Sequence, residues 1–397
     1  MSPLLLTSFT ATSAIGRGLA ATLASLHAKR SGLAPCRFET VSLDTCVGEV
    51  AGVDAVALPR ELAEFECRNN RLAWLALGQD GFTEAVAESA GRYGRRRVGV
   101  FLGTSTSGIL ETELAYRRRD PLSGALPEGF SYRGAHNTFS VAAFTQRALH
   151  LEGPAAVISC ACSSSAKVFA SARRAIEAGV IDAAVVGGVD SLCLTTLHGF
   201  HALQLVAPRP CRPFDVTRDG LSIGEAAAFA LLERAGDAVD ADAVLLAGTG
   251  ESSDAWHMSA PPPDGRGARA AMLKALAAAG LEPHEIGYIN FHGTGTPSND
   301  AAEGLAVASV LGKDVPGSST KGATGHTLGA AGALEAVICA LALEAGLMPA
   351  GINTTQVDPA LPVNYLRENR SAKLARVMSN SFGFGGSNCS LILARAG

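Results

Sequence analysis

Cys162, His292 and His326 are the side chains of this 397-residue chain whose types and surroundings could do chemistry. Cys162 sits in Ser159-Cys160-Ala161-Cys162-Ser163-Ser164-Ser165-Ala166, where a strand-like run turns into a helix-compatible one. His292 opens His292-Gly293-Thr294-Gly295-Thr296-Pro297, and His326 closes Lys321-Gly322-Ala323-Thr324-Gly325-His326. A fourth segment, Asn380-Ser381-Phe382-Gly383-Phe384-Gly385-Gly386-Ser387-Asn388, is a glycine loop able to present backbone N–H groups. A thiol, two imidazoles and free backbone donors suit thiolate attack on a thioester, with an oxyanion hole at the reacting carbonyl. The chain reads as an enzyme.

Each segment also has a plainer reading. Ala155–Ser159 is an apolar β run and Ser163–Ala178 is helix-compatible, with Gly179 as its C-cap. Cys162 therefore falls at the turn or at the first helical residue, where unpaired N–H groups and the helix dipole lower a thiol pKa. Cys160 is expected to remain in the strand, and burial as small hydrophobes accounts for both cysteines equally well. His292 follows Ile289-Asn290-Phe291 and so stands at a strand's carboxyl end, the usual place of α/β sites. Thr294 and Thr296 can bond the amides of an extended substrate arm; a structural histidine on a glycine turn is the alternative. The glycines after His326 fit a tightly buried helix. Lys321, if buried, needs an anion, for which Glu335 is the candidate. Phe382 and Phe384 can line an apolar channel, or simply flank a β-turn.

Those residues must be held by a large, core-rich framework. Hydrophobic residues make up 47% and charged residues 18% of the chain, which excludes a disordered class. A formal net charge of −4 gives no reason to expect nucleic-acid binding. Nine cysteines without regular spacing suit reduced cytoplasmic thiols, and no second Cys/His pair completes a zinc pattern. The run Pro3-Leu4-Leu5-Leu6-Thr7 reads as a buried strand and not as a signal peptide. No uninterrupted run reaches the roughly 18 apolar residues of a membrane span. Strand-like runs at Arg97–Thr104, Ala155–Ser159, Ala183–Val186, Ala227–Leu232, Ala243–Ala247 and Ile286–Phe291 alternate with Ala-rich helical stretches. This is the pattern of parallel sheets covered by helices. A helix is expected near Gly267–Ala279, another from Leu328, and a closing strand pair at Arg376–Ser379 and Asn388–Leu393. Polarity rises over Arg234–Asp242, which places a junction between halves 1–239 and 240–397.

The four segments in this order resemble the β-ketoacyl-acyl carrier protein synthases, the decarboxylating condensing enzymes of the thiolase-like superfamily. Cys211-Arg212-Pro213-Phe214-Asp215, Arg218-Asp219-Gly220 and Gly224-Glu225 resemble the family's loop before the last strand of its first half. Asn299-Asp300 with Glu303 resembles the stretch after its first histidine. The resemblance implies a thiolase-like fold, two similar α/β halves in αβαβα layers with the site between them. It implies Cys162 as acyl-accepting nucleophile, His292 and His326 as the paired histidines, and Lys321–Glu335 as a buried supporting pair. Phe384 is then the loop residue whose N–H joins that of Cys162 in the oxyanion hole. Thr294 and Thr296 hold the phosphopantetheine arm, with Phe382 as a further substrate contact.

The implied reaction is decarboxylative condensation of an acyl thioester with malonyl-acyl carrier protein, in fatty-acid, polyketide or aryl polyene-type synthesis. No metal or dissociable cofactor is implied, since the pantetheine arm arrives on the carrier protein. Acyl groups would come from an acyl-carrier protein or acyl-CoA. The enzyme is expected to pair with itself or with a related synthase subunit. Arg68, Arg71 and Arg117-Arg118-Arg119 are candidates for a basic landing patch for an acidic carrier protein. The rivals are a chain-length-factor-like subunit without activity, and a thiolase, which Cys389 invites as a second catalytic cysteine.

Overall fold

The structure, a computed structural model, describes residues 3–236 and 239–397. Residues 237 and 238, inside the polar junction, lie outside the described residues.

Strands β1 (Leu4–Ser13), β2 (Val98–Gly103), β3 (Ala155–Ile158), β4 (Ala183–Asp190) and β5 (Ala226–Arg234) stand side by side in the order β3-β2-β4-β5-β1. Strands β6 (Val244–Ser253), β7 (Tyr288–Asn290), β8 (Pro316–Ser318), β9 (Arg376–Gly383) and β10 (Ser387–Arg395) stand in the order β8-β7-β9-β10-β6, with the short strand Asn364–Tyr365 beyond β8. Counted within each half, the order is the same, so the chain contains one unit twice. The halves join edge to edge through β1 and β6, where Leu4 opposes Leu246 and Leu5 opposes Leu245.

The sheets are mixed, not purely parallel as the alternating pattern implied. β2 runs parallel to β3 and β4, and β7 runs parallel to β8 and β9. β5 is antiparallel to its neighbours β4 and β1, and β10 to β9 and β6. The short glycine turn between β9 and β10 explains the second case, because a hairpin connection makes its strands antiparallel.

Helices α1 (Arg68–Leu77), α2 (Phe82–Tyr93) and α3 (Ser140–Ala148) cover the outer face of the first sheet, and α4 (Ser164–Glu177) lies on its inner face. Helices α5 (Arg266–Ala279) and α6 (Pro297–Leu311) cover the outer face of the second sheet, and α7 (Ala331–Ala345) lies on its inner face. α4 and α7 pack on each other as the middle of five layers, which is the thiolase-like αβαβα arrangement.

α7 is buried along nearly its whole length, as apolar residues on every face require, whereas α4 buries its apolar face and turns Arg174 and Glu177 to solvent. They approach so closely that a Cβ on Gly332 would lie 2.6 Å from the Ala166 backbone nitrogen. The stretch Leu328–Ala345 is long and apolar enough to cross a membrane, with mean hydropathy 1.7, yet 89% of it is buried inside the protein. Here it is a core helix whose N-terminal end reaches the site.

Candidate active site

β3 ends at Ile158 and α4 starts at Ser164, so five residues make the turn that carries Cys162. Ala161 is held there at φ +57°, a left-handed conformation costly for a residue with a Cβ. Cys160 is in this turn and not in the strand as expected; its sulfur lies 3.4 Å from Ser163 Oγ. The early end of β3 is the reason.

Cys162 Sγ and one nitrogen from each of His292 and His326 lie within 4.8 Å of one another, and all three residues are buried. The histidine rings stand edge to face with centroids 5.2 Å apart. His292 comes from the carboxyl end of β7, and its loop is pinned by Glu303 of α6. The Glu303 carboxylate accepts the N–H groups of His292 and Gly293, each at 2.8 Å. His326 comes from the loop between the short helix Lys321–Thr324 and α7.

Hydrogen bonding sets the tautomers. The Leu328 N–H donates to His326 Nδ1 at 3.2 Å, so the proton of that ring sits on Nε2. Lys321 Nζ lies 3.4 Å from His292 Nδ1 and can only donate, which again leaves the proton on Nε2. Lys321 also forms a fully buried ion pair with Glu335. Burial, with the Lys321 charge beside them, holds both imidazoles well below their ordinary pKa, so both are neutral donors at neutral pH. Glu335 is pushed up to about 7, burial outweighing the attraction of Lys321. A thiol and two imidazoles could also hold a metal ion, but with Nδ1 engaged the free nitrogens present N–H groups. That arrangement suits an oxygen atom better than a cation.

Burial pushes the Cys162 thiol up to about 12, opposed by the charge of Lys321 and the Phe384 N–H. The thiolate expected at a helix start is therefore not the resting form: desolvation outweighs the helix end. The Phe384 N–H reaches Cys162 because β9 ends in Gly383 and the loop turns through Gly385 and Gly386, at φ +75° and +76°. The Phe384 ring stacks on Phe200 at 5.6 Å, and the Phe382 ring lies 6.0 Å from that of His292.

A pocket runs out from these groups, lined by Phe200, Phe382, Phe384, His257, Thr294 and Thr296 among others. The Thr294 and Thr296 hydroxyls face each other at 2.8 Å. Asp300 braces this loop from α6, accepting the N–H groups of Gly295 and Phe214.

Cys162, His292, His326, Lys321, Glu335, Phe382, Phe384, Thr294 and Thr296 are thus brought together. Arg68 is not a landing residue. It is 2% exposed and makes an ion pair with fully buried Glu225 at 2.7 Å, with further pairs to Glu49 and Asp54. A buried carboxylate needs such a partner. Arg71 is half-buried and paired with Glu66, whereas Arg117, Arg118 and Arg119 are exposed. Cys389 lies in the core, outside the pocket lining, which removes the second cysteine a thiolase would need.

A carbon–carbon bond-forming acyltransferase of the thiolase-like class is what this fold and site define. Residues 59–238 match the family described as "Beta-ketoacyl synthase, N-terminal domain", and residues 243–355 match "Beta-ketoacyl synthase, C-terminal domain". The chain is 34% identical to 3-oxoacyl-[acyl-carrier-protein] synthase 2 of Coxiella burnetii, over 94% of this chain and 93% of that one. It is 36% identical to Nodulation protein E of Rhizobium meliloti strain 1021, over 74% and 75% of the two chains. It is 39% identical to the mitochondrial 3-oxoacyl-[acyl-carrier-protein] synthase of Arabidopsis thaliana, over 61% of this chain and 57% of that one. Among solved structures, the complex of ketosynthase ApeO with its chain length factor ApeC from Xenorhabdus doucetiae superposes with TM-score 0.89 at 39% identity, over 100% and 98% of the chains. This chain belongs to the β-ketoacyl synthase family and is a condensing ketosynthase.

Sequence reasoning missed Asp190, Leu328, Phe200 and the bracing roles of Glu303 and Asp300. Asp190 had one visible signal, a carboxylate ending the otherwise apolar run Ala183–Asp190. The backbone N–H of Leu328 had none.

Proposed function

We propose that Cys162 is the acyl-accepting nucleophile of a two-stage condensation. The observation that carries this is the meeting of the Cys162 sulfur with two imidazoles whose Nδ1 atoms are already engaged. In the first stage Sγ attacks the carbonyl of an acyl thioester, and the N–H groups of Cys162 and Phe384 hold the tetrahedral oxyanion. The donor's C–S bond breaks, and its thiol leaves with the proton that Cys162 gives up. No imidazole has to accept that proton, which agrees with both rings presenting N–H groups.

In the second stage the malonyl thioester carbonyl accepts hydrogen bonds from His292 and His326. Its bond to the carboxylate breaks, carbon dioxide leaves and the electron pair forms an enolate. The enolate carbon attacks acyl-Cys162, the carbon–sulfur bond breaks, and one proton restores the thiol. Preorganised donors aimed at a developing oxyanion are each worth about 10²–10³ in rate.

The arm that brings both substrates is the phosphopantetheine of an acyl carrier protein, held by Thr294 and Thr296 at the pocket wall. Arg71 and the exposed Arg117, Arg118 and Arg119 remain the proposed landing residues for an acidic carrier. The free edge of β3 is the proposed dimer seam, since β3 pairs with β2 alone among the described strands. The match to a ketosynthase–chain length factor complex over the whole chain favours a related, non-identical partner and a specialised polyketide or polyene pathway. Nine free cysteines support a reducing, cytoplasmic location.

The test is incubation with an acyl-carrier protein and malonyl-carrier protein. Formation of the β-ketoacyl thioester with release of carbon dioxide supports the reading; acyl exchange without either product overturns it.

A further inference from the structure

Asp190 ends β4 fully buried, on the half of the molecule opposite to His326. Its Oδ1 accepts the N–H groups of Ser105 and Thr106 at 2.8 and 3.0 Å and the hydroxyls of Thr104 and Thr106 at 2.7 and 2.9 Å. Its Oδ2 accepts the Ser105 hydroxyl and the Gly329 N–H. Gly329 has no room for a side chain, since a Cβ there would lie 2.8 Å from Oδ2. The residue before it, Leu328, is held at φ +51°, and its N–H is the donor that fixes the His326 tautomer. A left-handed leucine persists only where its surroundings over-determine it.

We infer that Asp190 is a positioning residue for His326. Reaching across from the first half, its carboxylate clamps Gly329, holds Leu328 in its left-handed turn, and so keeps the Leu328 N–H on Nδ1 and the proton on Nε2. This deepens the role proposed above for His326 and rests on that reading. Both carboxylate oxygens are needed, because backbone N–H groups approach each of them and cannot reverse to accept. In Asp190→Asn a single amide oxygen can serve Ser105 and Thr106 or Gly329, and an NH₂ group faces the other set.

The experiment has two arms. In the first, the ¹⁵N shifts of the His326 ring are read in the intact protein and in Asp190→Asn. The intact ring is expected as the Nε2–H tautomer and the variant as a mixture. An unchanged pure tautomer would overturn the inference, whatever the enzyme proves to catalyse. In the second, malonyl decarboxylation and acylation of Cys162 are compared for Asp190→Asn, His326→Ala and the double variant. Decarboxylation should fall about 10²-fold, more than acylation, as misplacement of a reacting group does. The double variant should be no worse than His326→Ala alone, because Asp190 acts through that ring. Additive losses, or equal losses of the two steps, would overturn it. Should Asp190→Asn fail to fold, Ser105→Ala, which removes one donor to Oδ2, is put through the same cycle. A selective loss of decarboxylation that vanishes in the His326→Ala background again supports the inference, and additive or equal losses again overturn it. Absence of both reactions in the intact enzyme would instead overturn the proposed function and leave the tautomer arm standing.

Discussion

Lys321 Nζ stands between two partners, 3.4 Å from His292 Nδ1 and in a buried ion pair with Glu335. One cation thereby neutralises a carboxylate and fixes the tautomer of a ring in the site. These two duties separate by mutation. Lys321→Ala should lose about 3–5 kcal/mol of stability by leaving Glu335 alone in the core, and condensation with it. Adding Glu335→Gln should restore stability, measured by denaturant unfolding, but not condensation, since His292 still lacks its donor. Recovery of both together would show that Lys321 acts on stability alone.

His326→Ala should still take up acyl groups on Cys162 yet release carbon dioxide from the malonyl substrate about 10²–10³ times more slowly. Single-turnover acylation and decarboxylation rates check this. Acyl transfer lost in step with decarboxylation would instead make His326 the base that activates the thiol.

Glu303 is held up to about 7 by burial, against an ordinary value of 4.5, while the N–H groups of Gly293 and His292 pull it down. The folded chain then binds this proton more tightly than the unfolded chain does. Its contribution to stability is complete below about pH 4.5 and is lost as pH rises through 7. Relative to Glu303→Gln, the intact protein should therefore lose stability between about pH 5 and pH 8, by on the order of a few kcal/mol. Parallel stability curves for the two proteins would contradict this placement of the carboxyl.

The arginines divide into structural and exposed. Arg68→Ala should destabilise the fold by about 3–5 kcal/mol, because Glu225 is left buried and unpaired. Arg118→Glu should leave stability within about 0.5 kcal/mol and raise KM for the carrier protein at low salt, the effect shrinking as salt screens it. An unchanged KM at low salt would remove Arg118 from the landing patch.

The strands and helices around the site were legible in the sequence because buried strands are continuous apolar runs and the central helices are rich in Ala. His292, His326 and Phe384 were legible because each sits on a glycine-marked loop, and Cys162 because a serine-rich turn joins a strand to a helix there. The direction of β5 was not, since apolar runs do not encode strand polarity, and that of β10 was marked only by the short glycine turn before it. Arg68 was misread because its partner Glu225 lies 157 residues away, and a charged residue in a sequence shows nothing of its burial. The Cys162 thiol was misjudged for a related reason: its helix start was visible, but not the depth of burial that outweighs it. The tautomer of His326 depends on a backbone N–H, which every residue but proline possesses and no motif marks.

The proposed condensation requires that Cys162, and not its neighbour Cys160, carry the acyl chain. Mass spectrometry of peptides from the intact enzyme, incubated with acyl-carrier protein in the absence of malonyl substrate, distinguishes the two sulfurs. An acyl adduct is expected on Cys162, absent in Cys162→Ala and largely retained in Cys160→Ala. An adduct on Cys160, or equal loss in both variants, would contradict the assignment of the nucleophile.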